Sequence, residues 1–208
     1  MENINKWYND YIKNVDLGKM QWIKYNANEL DSFLENNYLD REVWEYVHDE
    51  NASSIFPTLL GMNYLSTNSP LNNKKYSFLL GIVDNNIGKK TVVAAAIYLD
   101  EYIIFTDQEI PITYISTLEV NSYFRNRGIY KKMCEVLINF INSDQHIVIT
   151  KQTEMGAKCH VFDILRNTLI SNKFHNYIFE DNHGMIHSEL HDIICSKQKV
   201  LTKAKNNK

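Results

Sequence analysis

The chain has 208 residues, 44% of them hydrophobic and 23% charged, with a formal net charge of -3. This balance is ordinary for a globular protein and long enough for one good-sized core, and it leaves no whole-molecule basic footprint for nucleic acid. No apolar run approaches the ~20 residues of a membrane span.

The polar, aromatic start MENINKWYNDYIKN contains no apolar signal-peptide core. Cys134, Cys159 and Cys195 are odd in number and widely spaced, which argues against a disulfide framework and a zinc knuckle. The expectation is a reduced, cytoplasmic protein.

The first third reads as mostly helical. A short strand is predicted at residues 20–25 (MQWIKY), followed by a helix over residues 26–36 with Leu30, Phe33 and Leu34 at helical spacing. REVWEYVHDE carries a second stripe, Val43, Trp44 and Val47, and SIFPTLLGMNYLSTNSPLNNKK reads as loop with an apolar anchor. The chain then turns to β. Residues 76–83 (YSFLLGIV) read as a buried strand and DNNIGKK as a hairpin turn. Residues 91–99 (TVVAAAIYL) form the return strand, whose alanines point to close packing, and EYIIF extends the sheet. A third long strand covers residues 110–120 (IPITYISTLEV), with Pro111 near its start.

The helix expected after Gly128 places Ile129, Met133, Val136, Leu137 and Phe140 on one stripe. A short strand HIVIT follows. Residues 159–172 form a further helix, with Val161, Ile164, Leu165 and Leu169 on one face. Residues 177–179 and 185–190 read as a closing hairpin around DNHG. The fold class is mixed α/β: a single central, mostly antiparallel sheet with helices on both faces. One domain spans residues 1–195, and residues 196–208 form a basic tail.

The stretch LEVNSYFRNRGIYKK concentrates the chemistry. It runs from a strand through a basic loop with one glycine into a helix. The leading N–H groups of a helix lack internal acceptors, and its dipole favours negative charge there. Gly128 lets an anion approach the backbone, and Arg125 and Arg127 add charge and bidentate phosphate contacts. The alternative is a solvated basic helix start, although basic residues are disfavoured at that end by a few tenths of a kcal/mol. There is no GxxxxGK[ST] loop, and the three glycines of a dinucleotide fingerprint are missing.

LEVNSYFRNRGIYKKMCEVLINFI resembles the central motif of the GNAT superfamily of N-acetyltransferases. In that motif a strand ends in an apolar-x-Val triplet, here Leu118, Glu119 and Val120. Arg or Gln follows about five residues later, then x-x-Gly-x-Gly/Ala into a helix, here Arg125, Asn126, Arg127, Gly128, Ile129 and Tyr130. The preceding hairpin and the following strand and helix ending in NKF agree in order over residues 76–191. The resemblance implies an N-acyltransferase that takes its acyl group from acetyl-CoA (coenzyme A). Leu118 and Val120 would offer main-chain groups to the pantetheine arm, and amides from Asn126 to Lys131 would cradle the pyrophosphate. Residues 1–75 would form the acceptor side and residues 76–195 the cofactor core. Tyr130 stands in the motif's small-residue place, Leu169 where the family often has a tyrosine acid, and Ser116 and Tyr114 where it often has a carboxylate.

Acyl transfer to an amine needs deprotonation of that amine, whose free pKa is ~10, so a base or a water chain to one is useful. Glu119 is one candidate, on the strand face opposite Leu118 and Val120. Tyr114 is the other, as a water relay. Each has a structural alternative, a solvent-side carboxylate and a half-buried strand tyrosine. Glu154 and His160 could line a cleft or simply sit at the surface. Cys134 reads as structural, and Cys159 has no triad partner beyond the adjacent His160. His183, His187 and His191 recur every four residues, but the DNHG turn and the missing carboxylate or cysteine ligand speak against a metal. Trp7, Tyr8, Tyr11, Trp22 and Tyr25 could line an acceptor pocket, with core packing as the simpler role. The expected partner is a small-molecule or peptide amine, with no nucleic acid or membrane, and a homodimer is left open. The rival reading is a non-catalytic acyl-CoA-sensing or partner-binding module on the same fold.

Overall fold

The computed structural model describes residues 15–37, 76–85, 88–105, 108–142, 145–149, 156, 158–174 and 177–179. In chain order it contains strand β1 (Gln21–Tyr25), helix α1 (Ala27–Asn37), strands β2 (Tyr76–Asp84), β3 (Lys90–Phe105) and β4 (Gln108–Val120), helix α2 (Ile129–Leu137), strand β5 (His146–Ile149), helix α3 (Val161–Ser171) and strand β6 (Tyr177–Phe179). The strands form one six-stranded sheet in the order β1-β2-β3-β4-β5-β6. β1 and β2 are antiparallel, whereas β4–β5 and β5–β6 are parallel. The links from β2 to β3 and from β3 to β4 are too short for a parallel crossover, so these neighbours are antiparallel as well. Both parallel steps run through a helix, as such connections require. The fold is mixed α/β on a single sheet.

The expected helix in REVWEYVHDE, the SIFPTLL loop, residues 185–190 of the closing hairpin and the basic tail lie outside the described residues. So do Trp7, Tyr8, Tyr11, Glu154, His183, His187, His191 and Cys195. β6 pairs in parallel with β5, Ile147 opposite Tyr177 and Ile149 opposite Phe179. EYIIF belongs to β3, which runs to Phe105.

The chain divides into two compact units, Met1–Ile97 with Thr117–Met133 and Tyr98–Ser116 with Cys134–Lys208. In the first, α1 opens on a reciprocal cap. The Asn26 Oδ1 accepts from the Glu29 N–H at 3.0 Å, and the Glu29 Oε2 accepts from the Asn26 N–H at 2.8 Å, which satisfies donors at the helix start. Leu30, Phe33 and Leu34 are its buried face. Tyr25 meets Phe33 with ring centroids 5.1 Å apart, and burial pushes its phenol pKa up against a smaller opposing pull from Lys90.

The β2–β3 turn fastens the far end of α1. The Asn85 N–H donates to the Lys89 carbonyl at 2.8 Å, and Gly88 takes a φ of 75°. Lys89 Nζ then donates to the Asn36 carbonyl at 2.6 Å, and the Lys90 N–H to Asn37 Oδ1 at 3.1 Å. Terminal helix carbonyls need such partners. Trp22 pairs with Gly81 across β1 and β2. A Cβ on Gly81 would lie 2.9 Å from the indole, so glycine is what lets that ring pack against β2 here. The predicted close packing at the alanines holds: Ala94, Ala95 and Ala96 are buried.

In the second unit the Thr113 hydroxyl, on a fully buried residue, donates to Asp100 Oδ1 at 2.8 Å and also lies against Gln145 Oε1. The stripe predicted after Gly128 needs two corrections: Val136 is only half-buried, and the far end of the stripe shifts. Ile129, Met133 and Leu137 are buried, but Phe140 is 39% exposed, while Cys134 and Ile141 are buried. The helix ends at Leu137 and the chain tightens, with the Asn139 N–H on the Val136 carbonyl and the Phe140 N–H on the Leu137 carbonyl. Three-residue spacing turns the chain further per residue than an α-helix, so Phe140 swings out and Ile141 swings in.

On α3 the buried residues are Phe162, Leu165, Thr168 and Leu169, whereas Val161 and Ile164 are partly exposed. Thr168 can be buried because its hydroxyl donates to the Ile164 carbonyl at 2.8 Å. The helix ends in a Schellman turn. The Phe174 N–H donates to the Leu169 carbonyl, the Lys173 N–H to the Ile170 carbonyl, and Lys173 has a φ of 63°. A left-handed lysine costs about 1–2 kcal/mol, part of which glycine returns as unfolded-state entropy. Lys173→Gly is therefore expected to raise Tm by about 1–3 °C in a thermal melt.

Candidate functional site

The candidate site is continuous in sequence and lies in the first unit, from Leu118 on β4 to Lys131 in α2. Leu118 and Glu119 are half-buried and Val120 is buried. The β4–β5 ladder pairs Ile112–Tyr114 with His146–Val148, so this triplet lies beyond it.

After Val120 the chain leaves the strand through Asn121. Its N–H still donates to the Val93 carbonyl of β3 at 2.9 Å, and its side-chain oxygen caps the Tyr123 N–H at 3.2 Å. That cap starts a single 3-10 turn, Ser122–Phe124. Phe124, 1% exposed, plugs the turn into the core.

Between this plug and α2 lies the basic loop. Arg125, Asn126, Arg127 and Gly128 are exposed, and Ile129 is buried. Asn126 has a φ of 62° and Gly128 a φ of 73°, so residues with positive φ flank Arg127. Alternation of this kind curls successive backbone N–H groups toward one side, a concavity that suits an anion. The helix begins directly after it, with the Lys132 N–H bonded to the Gly128 carbonyl at 3.2 Å. Its leading amides therefore join the same N–H-rich mouth.

A Cβ on Gly128 would meet nothing within 4 Å. Glycine is thus required by the backbone angle, and the space above this amide is open, as a bulky phosphate needs. Arg125 Nε donates to the Val120 carbonyl at 3.1 Å. The Arg127 guanidinium stands over the Phe124 ring, 5.8 Å from its centroid, which holds that charge above the loop. Lys131 is exposed in the first turn of α2 and Tyr130 is half-buried beside it.

These features bring Leu118, Glu119, Val120, Arg125, Asn126, Arg127, Gly128, Ile129, Tyr130 and Lys131 into one strand–loop–helix segment. Tyr114 belongs to the second unit, where it is 4% exposed and pairs with Val148. His160 is an exposed residue with a φ of 53°, its Nδ1 3.3 Å from Asp163 Oδ2. Cys134 is fully buried, as a structural residue would be, and Cys159 is exposed.

Asn121 and Phe124 shape the candidate loop, and sequence reasoning missed both. An asparagine immediately after a strand and a lone aromatic in a polar turn were the available signals. Among the described residues no group of His, Cys, Asp or Glu could hold a metal, and no helix is long and apolar enough to cross a membrane.

No family model and no curated protein matches the sequence. Solved structures similar to the chain include an aminoglycoside acetyltransferase from an uncultured soil metagenomic sample, in complex with sisomicin. It is 16% identical, with 82% of this chain and 95% of that one covered and a TM-score of 0.45. A Clostridium difficile 630 protein described as a "possible acetyltransferase" is 16% identical over 82% and 97% of the two chains, with a TM-score of 0.40. An integron cassette protein from the mobile metagenome of V. cholerae is 17% identical over 85% and 97%, with a TM-score of 0.41.

Proposed function

We propose that this protein is an acyl-CoA-dependent N-acyltransferase whose acceptor is a primary amine on a small molecule or peptide. The observation that carries the reading is the curled loop Arg125–Gly128 at the mouth of α2, with two left-handed residues, an open amide at Gly128 and two arginines. When bound, acyl-coenzyme A supplies a thioester, an activated acyl group beside a fair leaving thiol. The chain's own residues would do the rest. Amides from Asn126 to Lys131 would hold the pyrophosphate, with Arg127 adding charge. Main-chain groups of Leu118 and the Val120 N–H would line up the pantetheine arm as an added strand. Glu119, half-buried on β4, is the candidate to take the amine's proton, directly or through water. Holding the two reactants together would supply much of the rate.

A second reading, a sensor of acyl-CoA that does not turn it over, is favoured by one residue. Leu169 stands in the motif place where the resembled family often has a tyrosine acid, and leucine has no proton to give.

Thermal shift with acetyl-CoA and with CoA tests the shared claim. Both ligands are expected to raise Tm by several degrees at millimolar concentration, as ligands that bind only the folded state must. No shift with either ligand removes the cofactor claim. Thiol release across polyamines, aminoglycosides, amino acids and peptides then separates the two readings. Release with one class supports the enzyme, and binding without release on any amine supports the sensor.

A further inference from the structure

The Val120–Asn121 peptide group is held at both of its ends. Its N–H, on Asn121, donates to the Val93 carbonyl of β3 at 2.9 Å. Its C=O, on Val120, accepts from Arg125 Nε at 3.1 Å. In a planar trans peptide the C=O and N–H point to opposite sides. The Val120 carbonyl therefore faces the edge of β4 turned away from β3, and the Arg125 Nε–H occupies the place that an N–H of an added strand would take there. This contact is made by the one guanidinium nitrogen bonded to Cδ, so it anchors the stem of the side chain. Arg125 is itself set for this role. Its backbone is extended, with φ -63° and ψ 164°, and its N–H reaches back to the Ser122 carbonyl at 3.4 Å.

We infer that Arg125 is a positioning residue, whose Nε–H fixes the Val120 carbonyl and so ends the edge of β4 where the pantetheine arm gives way to the pyrophosphate. The inference rests on the acyl-CoA reading above, but assigns this arginine a task other than neutralising phosphate. Charge and position make opposite predictions for its substitutions. Glutamine carries its Nε2 on Cδ, as arginine carries Nε, so Arg125→Gln keeps the donor and loses the charge. Arg125→Lys keeps the charge but places a methylene where Nε stood. Arg125→Met loses both.

The test uses the full chain and free CoA. Affinity is measured by calorimetry, and the backbone 15N–1H resonance of Asn121, whose nitrogen is bonded to the Val120 carbonyl carbon, is followed without ligand. Thermal melts establish that each variant is folded. The proposal expects Arg125→Gln to bind CoA within about threefold of the parent, with the Asn121 resonance nearly unmoved. Arg125→Lys and Arg125→Met are expected to bind at least about tenfold more weakly, with a shifted Asn121 resonance, the range for losing a hydrogen bond from a charged donor. Any other affinity order overturns the proposal, including one that follows charge or ignores the substitution. If the parent itself does not bind CoA, the acyl-CoA reading fails, and with it the inferred role. The Asn121 resonance then reports separately whether the Arg125–Val120 contact exists.

Discussion

Gly128→Glu is expected to abolish CoA binding while leaving the chain folded. The substitution has two separable consequences. At a φ of 73° any L-residue is strained by about 1–2 kcal/mol, a cost a core of this size survives. The new side chain meets nothing within 4 Å at its Cβ, so no clash unfolds the loop. The carboxylate, however, would stand where the pyrophosphate is proposed to lie. At ~4 Å and an effective dielectric near 20, two like charges repel by about 4 kcal/mol, roughly a thousandfold in affinity. Gly128→Ala carries the strain without the charge and is expected to weaken binding far less. Calorimetry with CoA on both variants checks this, with a thermal melt for folding. Comparable affinity in Gly128→Glu and the parent would mean that no phosphate approaches this amide.

Phe124→Ala is expected to be the most destabilising change near the site. The ring is 1% exposed and closes the turn between β4 and the loop. Truncating a buried phenylalanine costs about 3–5 kcal/mol, which for a chain of this length lowers Tm by roughly 8–15 °C. The same ring lies under the Arg127 guanidinium, so the loop loses a support worth about 0.5–1 kcal/mol as well. Phe124→Leu keeps most of the apolar volume and is expected to recover the greater part of the loss. A melt that moves by only a degree or two in Phe124→Ala would show that the ring does not carry the turn.

The elements that fixed this site were legible because they are periodic or punctuated. The apolar run of β2, the DNNIGKK turn after it and the long β4 each announce themselves within a few residues. So does the helix after Gly128, whose Ile129, Met133 and Leu137 repeat at four-residue intervals. What the sequence hid are contacts between distant residues or choices of backbone region. Asn126 and Lys173 both take positive φ, which asparagine adopts readily but lysine does not. Only the surrounding turn forces Lys173 there. The Arg125–Val120 contact spans five residues and depends on where the loop curls. The reason for Gly81 inside β2, room for Trp22 on β1, lies about sixty positions away. Periodicity places Phe140 on the α2 stripe, because periodicity alone does not say where a helix tightens and stops.

The central claim is that the loop at residues 125–128 and the first turn of α2 bind the pyrophosphate of an acyl-CoA. It is tested most directly by titrating the uniformly 15N-labelled chain with CoA and following the backbone amides. The account predicts saturable shifts concentrated on Asn126, Arg127, Gly128, Ile129 and Lys131, with Leu118 and Val120 moving alongside them. Adenosine 3′,5′-bisphosphate, which lacks both the pyrophosphate and the pantetheine arm, should shift the 126–131 amides far less. Shifts that avoid residues 126–131, or none at millimolar CoA, would contradict it.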